Sequence, residues 1–174
     1  LLLERFPKAP MALRARIAYL IDDDRAKEAL RDLERLQALE PTDANIALQM
    51  AVVHHSQKNH AETIAITDKL LKADPANWRA LRLRGDAYLS QGNQASAVKD
   101  YDAALKVEPK EPGLLNNLAW VLATSPDDKL RDAKRARELA ELACEATQYR
   151  MPHIISTLGA AYAEAGDFDG AKKW

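Results

Sequence analysis

Four of the eight prolines, Pro7, Pro41, Pro75 and Pro109, follow one another at intervals of 34 residues. A fixed period of this length is typical of helix pairs stacked into a solenoid, because each pair leaves an apolar face that only the next pair can cover. We therefore number each unit so that its proline falls at position 32. This numbering predicts repeats at residues 10–43, 44–77, 78–111 and 112–151, with residues 1–9 as the tail of a preceding unit and 152–174 as a truncated last unit.

Small residues recur at two positions of the repeat. Position 8 is Gly or Ala in four of the five units, and position 20 is Ala in four of five. Small residues let two helices approach closely while larger side chains fill the space around them. Each unit is therefore predicted to form a helix A, a turn and a helix B. In the third unit helix A should span about 77–91, Gly92 should give it a left-handed end, and helix B should span about 94–107 before Pro109 ends it.

The third unit also carries a resemblance to a known family. It is similar to the tetratricopeptide repeat in Trp78, Leu81, Gly85, Tyr88, Gly92-Asn93, Ala97, Tyr101, Ala104 and Pro109. The resemblance implies an all-α fold, a right-handed α-solenoid of stacked helix–turn–helix repeats forming a single array. It also implies a non-catalytic scaffold for protein–protein interaction, whose A helices line a concave groove that binds a peptide or helix of a partner.

Three departures from the family pattern bear on packing. Arg84 replaces the usual Leu at position 7, and His54 and Thr67 replace aromatic residues in the second unit. We expect looser packing at these places. The fourth unit carries five extra residues between its helices, around 125–131, which resembles a bacterial variant of the repeat.

The groove-facing positions of helix A supply the candidate partner-binding residues: Arg14, Gln49, Arg79, Arg82, Asn116, Asn117, Trp120 and His153. Arg79 and Arg82 lie three residues apart on one helix face. Guanidinium groups bind carboxylates through paired hydrogen bonds, so an acidic side chain or a free C-terminus is a candidate guest. The alternative is a solvated face in which Arg82 pairs with Asp86.

Two further features of helix A allow more than one interpretation. Asn116 and Asn117 offer amides that can hydrogen-bond a peptide backbone, with Gln49 and Thr157 at the positions equivalent to Asn117; capping or solvation is the alternative. Trp120 at position 9 could anchor a partner from the groove. We favour its burial against the neighbouring A helix.

One family-level comparison is negative. Family members that bind the C-termini of heat-shock chaperones resemble one another in a carboxylate clamp built from lysine, asparagine and arginine. The first window with the required spacing holds Arg14, Ala18, Gln49, Arg79 and Leu83. The sequence therefore predicts no strong binding of such chaperone tails.

Composition and motifs disfavour several other functions. Lys plus Arg (25) and Asp plus Glu (26) nearly cancel, so nothing points to nucleic acid. The sequence shows neither a Gly-rich phosphate loop nor a nucleophile motif, which predicts no enzyme activity and no cofactor. The single cysteine, Cys144, excludes an internal disulfide and is expected to be an apolar packing residue.

The polar clusters are also predicted to be structural. His54, His55 and His60 are close in sequence but do not converge as zinc ligands, so no metal is expected. Asp22, Asp23 and Asp24 follow the first A helix and are expected to cap a helix.

The cellular location is left open between cytoplasm and periplasm. No apolar run approaches the roughly 20 residues that span a bilayer, and the opening residues lack a signal-peptide pattern.

Two other functions stay open beside the scaffold. The chain could be an accessory segment that positions a substrate or partner for a larger enzyme. It could also self-assemble end to end through its truncated terminal repeats, where we expect exposed apolar side chains: Leu1, Leu2, Leu3, Phe168 and Trp174.

Overall fold

The structure, a computed structural model, describes residues 9–174 and contains ten α-helices and no strand within that range. Residues 1–8, including the predicted apolar patch at Leu1, Leu2 and Leu3, lie outside the described residues. The helices are α1 (Pro10–Asp22), α2 (Ala26–Leu39), α3 (Ala44–Ser56), α4 (His60–Ala73), α5 (Trp78–Ser90), α6 (Gln94–Val107), α7 (Pro112–Thr124), α8 (Ala133–Ala146), α9 (Pro152–Glu164) and α10 (Phe168–Lys173).

The chain forms two compact units. The first ends at Ala87 and the second spans Tyr88–Trp174, so the boundary falls within α5. The odd-numbered helices are the A helices of the predicted repeats and the even-numbered ones the B helices. No helix within residues 9–174 combines the length and the apolar character that crossing a membrane requires.

Helix ends follow the turn chemistry of the sequence. Pro112 and Pro152 occupy the first turns of α7 and α9, where a missing N–H costs nothing. Polar side chains cap other helices: the Asp43 carboxylate accepts from the Asn45 N–H at 2.9 Å, and the Asn93 amide oxygen accepts from the Ser96 N–H at 3.2 Å. The helix boundaries predicted for the third unit agree with α5 and α6 to within one residue.

The turns between paired helices share one backbone conformation. Position 15 is left-handed in four repeats, with φ of 54° at Asp24, 61° at Lys58, 78° at Gly92 and 77° at Gly166. The predicted left-handed end at Gly92 is confirmed. Of the three residues Asp22–Asp24 predicted to cap a helix, Asp23 is the C-cap residue of α1, through its backbone N–H. None of them caps the start of α2, where the N-cap residue is Arg25 and no side chain forms a cap hydrogen bond.

Small residues at positions 8 and 20 of the repeat are buried. Ala51, Ala97 and Ala136 are fully buried, and Gly85 is buried in α5. In the second repeat the Thr63 hydroxyl lies 3.4 Å from the carbonyl oxygen of Ala51 on the facing helix. A side chain from α4 therefore touches the backbone of α3, which a larger residue at position 8 would prevent.

Two of the three polar replacements have internal partners, whereas the buried Nδ1 atom of the third, His54, has no hydrogen-bond partner among the described residues. Arg84 forms an ion pair with Asp68 at 2.6 Å, and Arg16, also at position 7, donates two hydrogen bonds to the fully buried Asp32. The hydroxyl of the fully buried Thr67 donates to the carbonyl oxygen of Thr63 at 2.8 Å. Looser packing at these places stays a prediction.

The five-residue insertion between α7 and α8 is tied down at both ends. The buried Ser125 donates its hydroxyl hydrogen to Gln94 Oε1 at 2.6 Å. Arg131 pairs with Asp128 within the insertion, and its Nε lies 3.1 Å from Glu164 at the end of α9. The insertion therefore contacts α6 of the preceding repeat and α9 of the following one.

Enlarging Gly85 should lower the free energy of unfolding. We expect Gly85→Leu to cost about 1–3 kcal/mol because the extra carbons overpack a buried helix contact. Gly159→Ala is the matched control: its added methyl would meet the Ala171 carbonyl oxygen at 3.5 Å, an ordinary contact. Urea denaturation followed by circular dichroism measures both, and an unchanged stability of the Gly85 variant would show that the repeat register is wrong.

Candidate partner-binding site

A pocket of about 180 Å³ lies between α3 and α5, within the first unit. Its apolar wall consists of Leu48 and Val52, one turn apart on α3. The α5 side carries the charged residues. The lining residues are Leu48, Val52, Trp78, Arg79, Arg82, Leu83 and Asp86.

The helical repeat explains why these side chains share one face. Arg79, Arg82 and Asp86 are separated by three, four and seven positions, and residues with that spacing project from the same side of an α-helix. The predicted pair Arg79 and Arg82 is thus brought to one pocket. An apolar wall opposite two guanidinium groups suits a side chain that has both an apolar stem and a negative end.

Arg79 is held in place by an aromatic ring. Its guanidinium carbon lies 4.5 Å from the centroid of the Trp78 ring, within the range of a cation–π contact. The Arg79 side chain is exposed. Because the indole fixes the guanidinium plane, less conformational entropy is lost when a carboxylate binds it.

Arg82 has an internal acidic neighbour. Its Nε lies 3.8 Å from Asp86 Oδ2, so the pairing considered as the alternative to ligand binding is present, at the long end of ion-pair distances. The Arg82 side chain keeps 41% of its surface exposed, against 20% for Asp86. An incoming carboxylate could therefore reach the Arg82 guanidinium group from the solvent side, where both charges would stay partly exposed.

A histidine pair stands beside Asp86. The rings of His55 and His60 meet edge to face with centroids 5.2 Å apart, and the buried Nδ1 atom of each accepts no hydrogen bond. Burial lowers the pKa of His55 below its ordinary value, and His60 lowers it further, while the Asp86 carboxylate acts in the opposite direction. The folded protein therefore favours the neutral form of His55.

The other candidates of the first unit lie away from this pocket. Arg14 on α1 pairs with Glu40 and, at 2.9 Å, with Asp43 beyond the end of α2. These contacts raise the pKa of Arg14, chiefly through the hydrogen bond to Asp43. Gln49 is exposed on α3 and does not line the pocket.

The remaining candidates belong to the second unit. Trp120 on α7 is 44% exposed, so the expectation that it is buried against a neighbouring helix is wrong. Asn116 is 9% exposed and donates from Nδ2 to Asn117 Oδ1 at 3.3 Å, while its own buried Oδ1 accepts no hydrogen bond. His153 is exposed on α9.

The described part of the chain contains neither a metal-binding cluster nor an exposed thiol. No three His, Cys, Asp or Glu side chains of residues 9–174 are arranged to hold a metal ion. Cys144 is fully buried on α8, and burial, with a smaller contribution from Glu141, raises the pKa of its thiol. A thiol held in its protonated form packs as a small apolar group.

Five of the seven pocket residues were not among the sequence candidates for partner binding: Leu48, Val52, Trp78, Leu83 and Asp86. Trp78 was identified from the sequence only as a residue of the family pattern. Leu83 was named only because it stands where the carboxylate clamp would require a cationic residue. An aromatic residue directly before an exposed arginine at a helix start was the available signal for Trp78. For Leu83 the sequence offered no such signal, because the pattern that marks a leucine as buried does not show whether a pocket lies over it.

The sequence matches a known family. Residues 49–174 match the family model of the tetratricopeptide repeat. The chain is 31% identical over 126 residues to the uncharacterized protein y4yS of Sinorhizobium fredii, an alignment covering 72% of this chain and 68% of that protein. It is 23% identical over 150 residues to tetratricopeptide repeat protein 33 of Homo sapiens, covering 86% of this chain and 56% of the human protein. The chain thus spans little more than half the length of that relative.

Solved structures with the same fold extend over nearly the whole chain. PilW, a type IV pilus biogenesis factor, superposes with a TM-score of 0.81 at 18% identity, covering 98% of this chain and 77% of PilW. MamA of Desulfovibrio magneticus superposes with a TM-score of 0.75 at 19% identity, covering 94% of this chain and 89% of that one. The predicted fold class, all-α helix–turn–helix repeats of the tetratricopeptide solenoid type, is confirmed.

Acidification should destabilise the protein through His55. Its stabilising contribution is complete above the ordinary histidine pKa of 6.5 and is lost as the pH falls below that value, because the unfolded chain then binds more protons than the folded one. We expect the free energy of unfolding to decrease from pH 7 to pH 5, and His55→Gln to flatten that slope.

The exposed His153→Gln is the control for this measurement and should leave the slope unchanged. Urea titrations at a series of pH values provide the comparison. An equally steep slope in the His55 variant would contradict the assignment.

Proposed function

This chain belongs to the tetratricopeptide-repeat family, and from that premise we propose that it is a non-catalytic scaffold whose α3–α5 pocket binds an acidic side chain of a partner protein. The family fold is generally a scaffold for protein–protein interaction, and its members and structural neighbours are typically non-catalytic. The pocket geometry supports the finer statement about the ligand.

The single observation that carries the proposal is the stacking of Arg79 on Trp78. A guanidinium held over an indole at 4.5 Å keeps its N–H edge available for a carboxylate. Arg82, three residues later, lies on the same face and doubles the positive charge at one end of the pocket. A carboxylate between the two could accept charge-assisted hydrogen bonds from both.

The apolar wall specifies what accompanies the carboxylate. Val52 is 48% exposed on the opposite side of the pocket, next to the half-buried Leu48. At about 180 Å³ the pocket is smaller than the roughly 300 Å³ at which small-molecule sites begin, so it fits a side chain of a peptide better than a free metabolite. The ligand is therefore an aliphatic residue beside an acidic one, or a C-terminal residue with its free carboxylate.

Asp86 sets the selectivity. Its carboxylate lies on the same face as Arg82, so a basic ligand residue would find one acid against two arginines. A neutral peptide would leave the contact between Arg82 and Asp86 undisturbed and would gain only contacts with the apolar wall. An acidic peptide gains the apolar contacts and an ion pair as well, because it offers Arg79 a carboxylate while Asp86 remains beside Arg82.

Removing both arginines should weaken an acidic peptide selectively. The probe is a short fluorescein-labelled peptide with a central Leu-Glu pair, compared with the same peptide carrying Leu-Gln. We expect Arg79→Ala with Arg82→Ala to raise the Kd for the Leu-Glu peptide about tenfold or more, because charge-assisted hydrogen bonds contribute about 1.5–3 kcal/mol. Fluorescence anisotropy measures the change.

The control removes the same charge at the same spacing elsewhere in the first unit. Lys69 and Lys72 are exposed on α4, and replacing both by alanine should leave the Kd unchanged. Equal weakening by both double variants would indicate attraction by net charge alone. Equal affinity for the Leu-Glu and Leu-Gln peptides would refute the acidic-ligand proposal.

A further inference from the structure

A second pocket lies in the second unit, and no candidate partner-binding residue lines it. Its volume is about 350 Å³, and it is bounded by the α6–α7 connection, by α7 and by α8. The floor is Leu115, which is 2% exposed. Leu142 on α8 forms one wall and is 50% exposed, which is unusual for a leucine beside an apolar cavity.

Two opposite charges frame this pocket. Lys110 stands on the α6–α7 connection and Glu145 stands on α8, one turn from Leu142. Both side chains are exposed, and among the residues that the structure describes neither has an ion-pair partner. The surface thus carries one cation, one anion and an exposed leucine.

Further apolar side chains lie in the segments next to the pocket. Val107 ends α6 three residues before Lys110 and is 46% exposed, and Tyr149 and Met151, which follow α8, are 39% and 42% exposed. A standard protein interface buries about 800 Å² on each partner, more than the pocket alone offers. Val107 and Met151 could add apolar area to an interface centred on the pocket, while the Tyr149 ring already stacks on Trp174 with centroids 5.2 Å apart.

The equivalent place in the first unit lacks this character. A pocket of about 290 Å³ lies there against α3 and α4, with Ala47 at the repeat position of Leu115 and Ala73 at that of Ala146. The position of Leu142 is taken by the exposed Lys69. The fold therefore accepts a lysine at this position, and the exposed leucine is particular to the fourth repeat.

We propose that this surface, defined by Lys110, Leu142 and Glu145, pairs with the same surface of a second copy of the chain. In a two-fold dimer one patch meets itself in the reverse orientation, so it must be self-complementary. A patch that carries one unpaired cation, one unpaired anion and an exposed leucine around one pocket meets that condition. Lys110 then faces Glu145 of the partner subunit, Glu145 faces Lys110 of the partner subunit, and the leucines meet between them.

Charge complementarity selects this occupant over a different protein. A surface that served a uniformly acidic or basic partner would carry an excess of one sign. Here the two charges balance, and each finds its counterpart in the copy. The small area predicts a weak dimer that dissociates in the micromolar range.

Sedimentation velocity across a range of protein concentrations tests the proposal. The wild type should shift from monomer to dimer. Leu142→Lys, which installs the residue found at the equivalent position of the first unit, should weaken association about tenfold or more. Leu142→Ala should weaken association less than Leu142→Lys does, and it serves as a control for a folding defect. Circular dichroism detects such a defect independently.

Charge reversal gives the sharper test. Lys110→Glu alone and Glu145→Lys alone each place like charges opposite one another and should weaken the dimer, whereas the double reversal should restore it. A wild type that stays monomeric throughout, or single reversals without effect, would overturn the proposal. Dimerisation abolished by Phe168→Ser and not by Leu142→Lys would also overturn it, because association would then be end to end.

Discussion

The close approach of paired helices at positions 8 and 20 is the contact on which the structure depends. Alanine or glycine at these positions lets a side chain such as Thr63 reach the backbone oxygen of Ala51 on the facing helix. Helices this close bury their larger residues on either side, which gives the first unit a core that includes Leu13, Leu33 and Leu36. In α5, Gly85 is buried while Arg79 is exposed and Arg82 keeps 41% of its side-chain surface exposed. The core contact and the proposed ligand-binding arginines therefore lie on different faces of α5.

Local signals in the sequence predicted the helices and one of the left-handed turns. Pro41, Pro75 and Pro109 lie just after B helices, and Gly92 adopts the left-handed conformation that ends α5, as its residue type predicts. The same reasoning did not foresee Asp24 and Lys58 in that conformation, with φ of 54° and 61°. There the helix pair imposes the turn on residues that do not favour it. Tertiary packing outweighs the local preference at these two positions.

The candidate site was predicted only where neighbours in sequence are also neighbours in space. Arg79 and Arg82 share a helix face by spacing alone, and the pocket contains both. Arg14 was offered as a ligand contact but pairs with Asp43, 29 residues away, a partner that helical spacing within α1 could not reveal. Trp120 was expected to be buried and is exposed, because the depth of a groove position depends on how neighbouring helices are placed.

The insertion in the fourth repeat has a consequence for how such repeats diversify. Ser125 holds the amide of Gln94, and Arg131 holds the carboxylate of Glu164, so the extra residues are the partners of side chains on two other helices. Trimming the loop to standard length would not recover an ordinary repeat, since it would leave an amide and a carboxylate without their counterparts. The loop and its two contacts are therefore a structural unit, so a substitution at Gln94 or Glu164 changes the surroundings of the insertion as directly as a substitution within it.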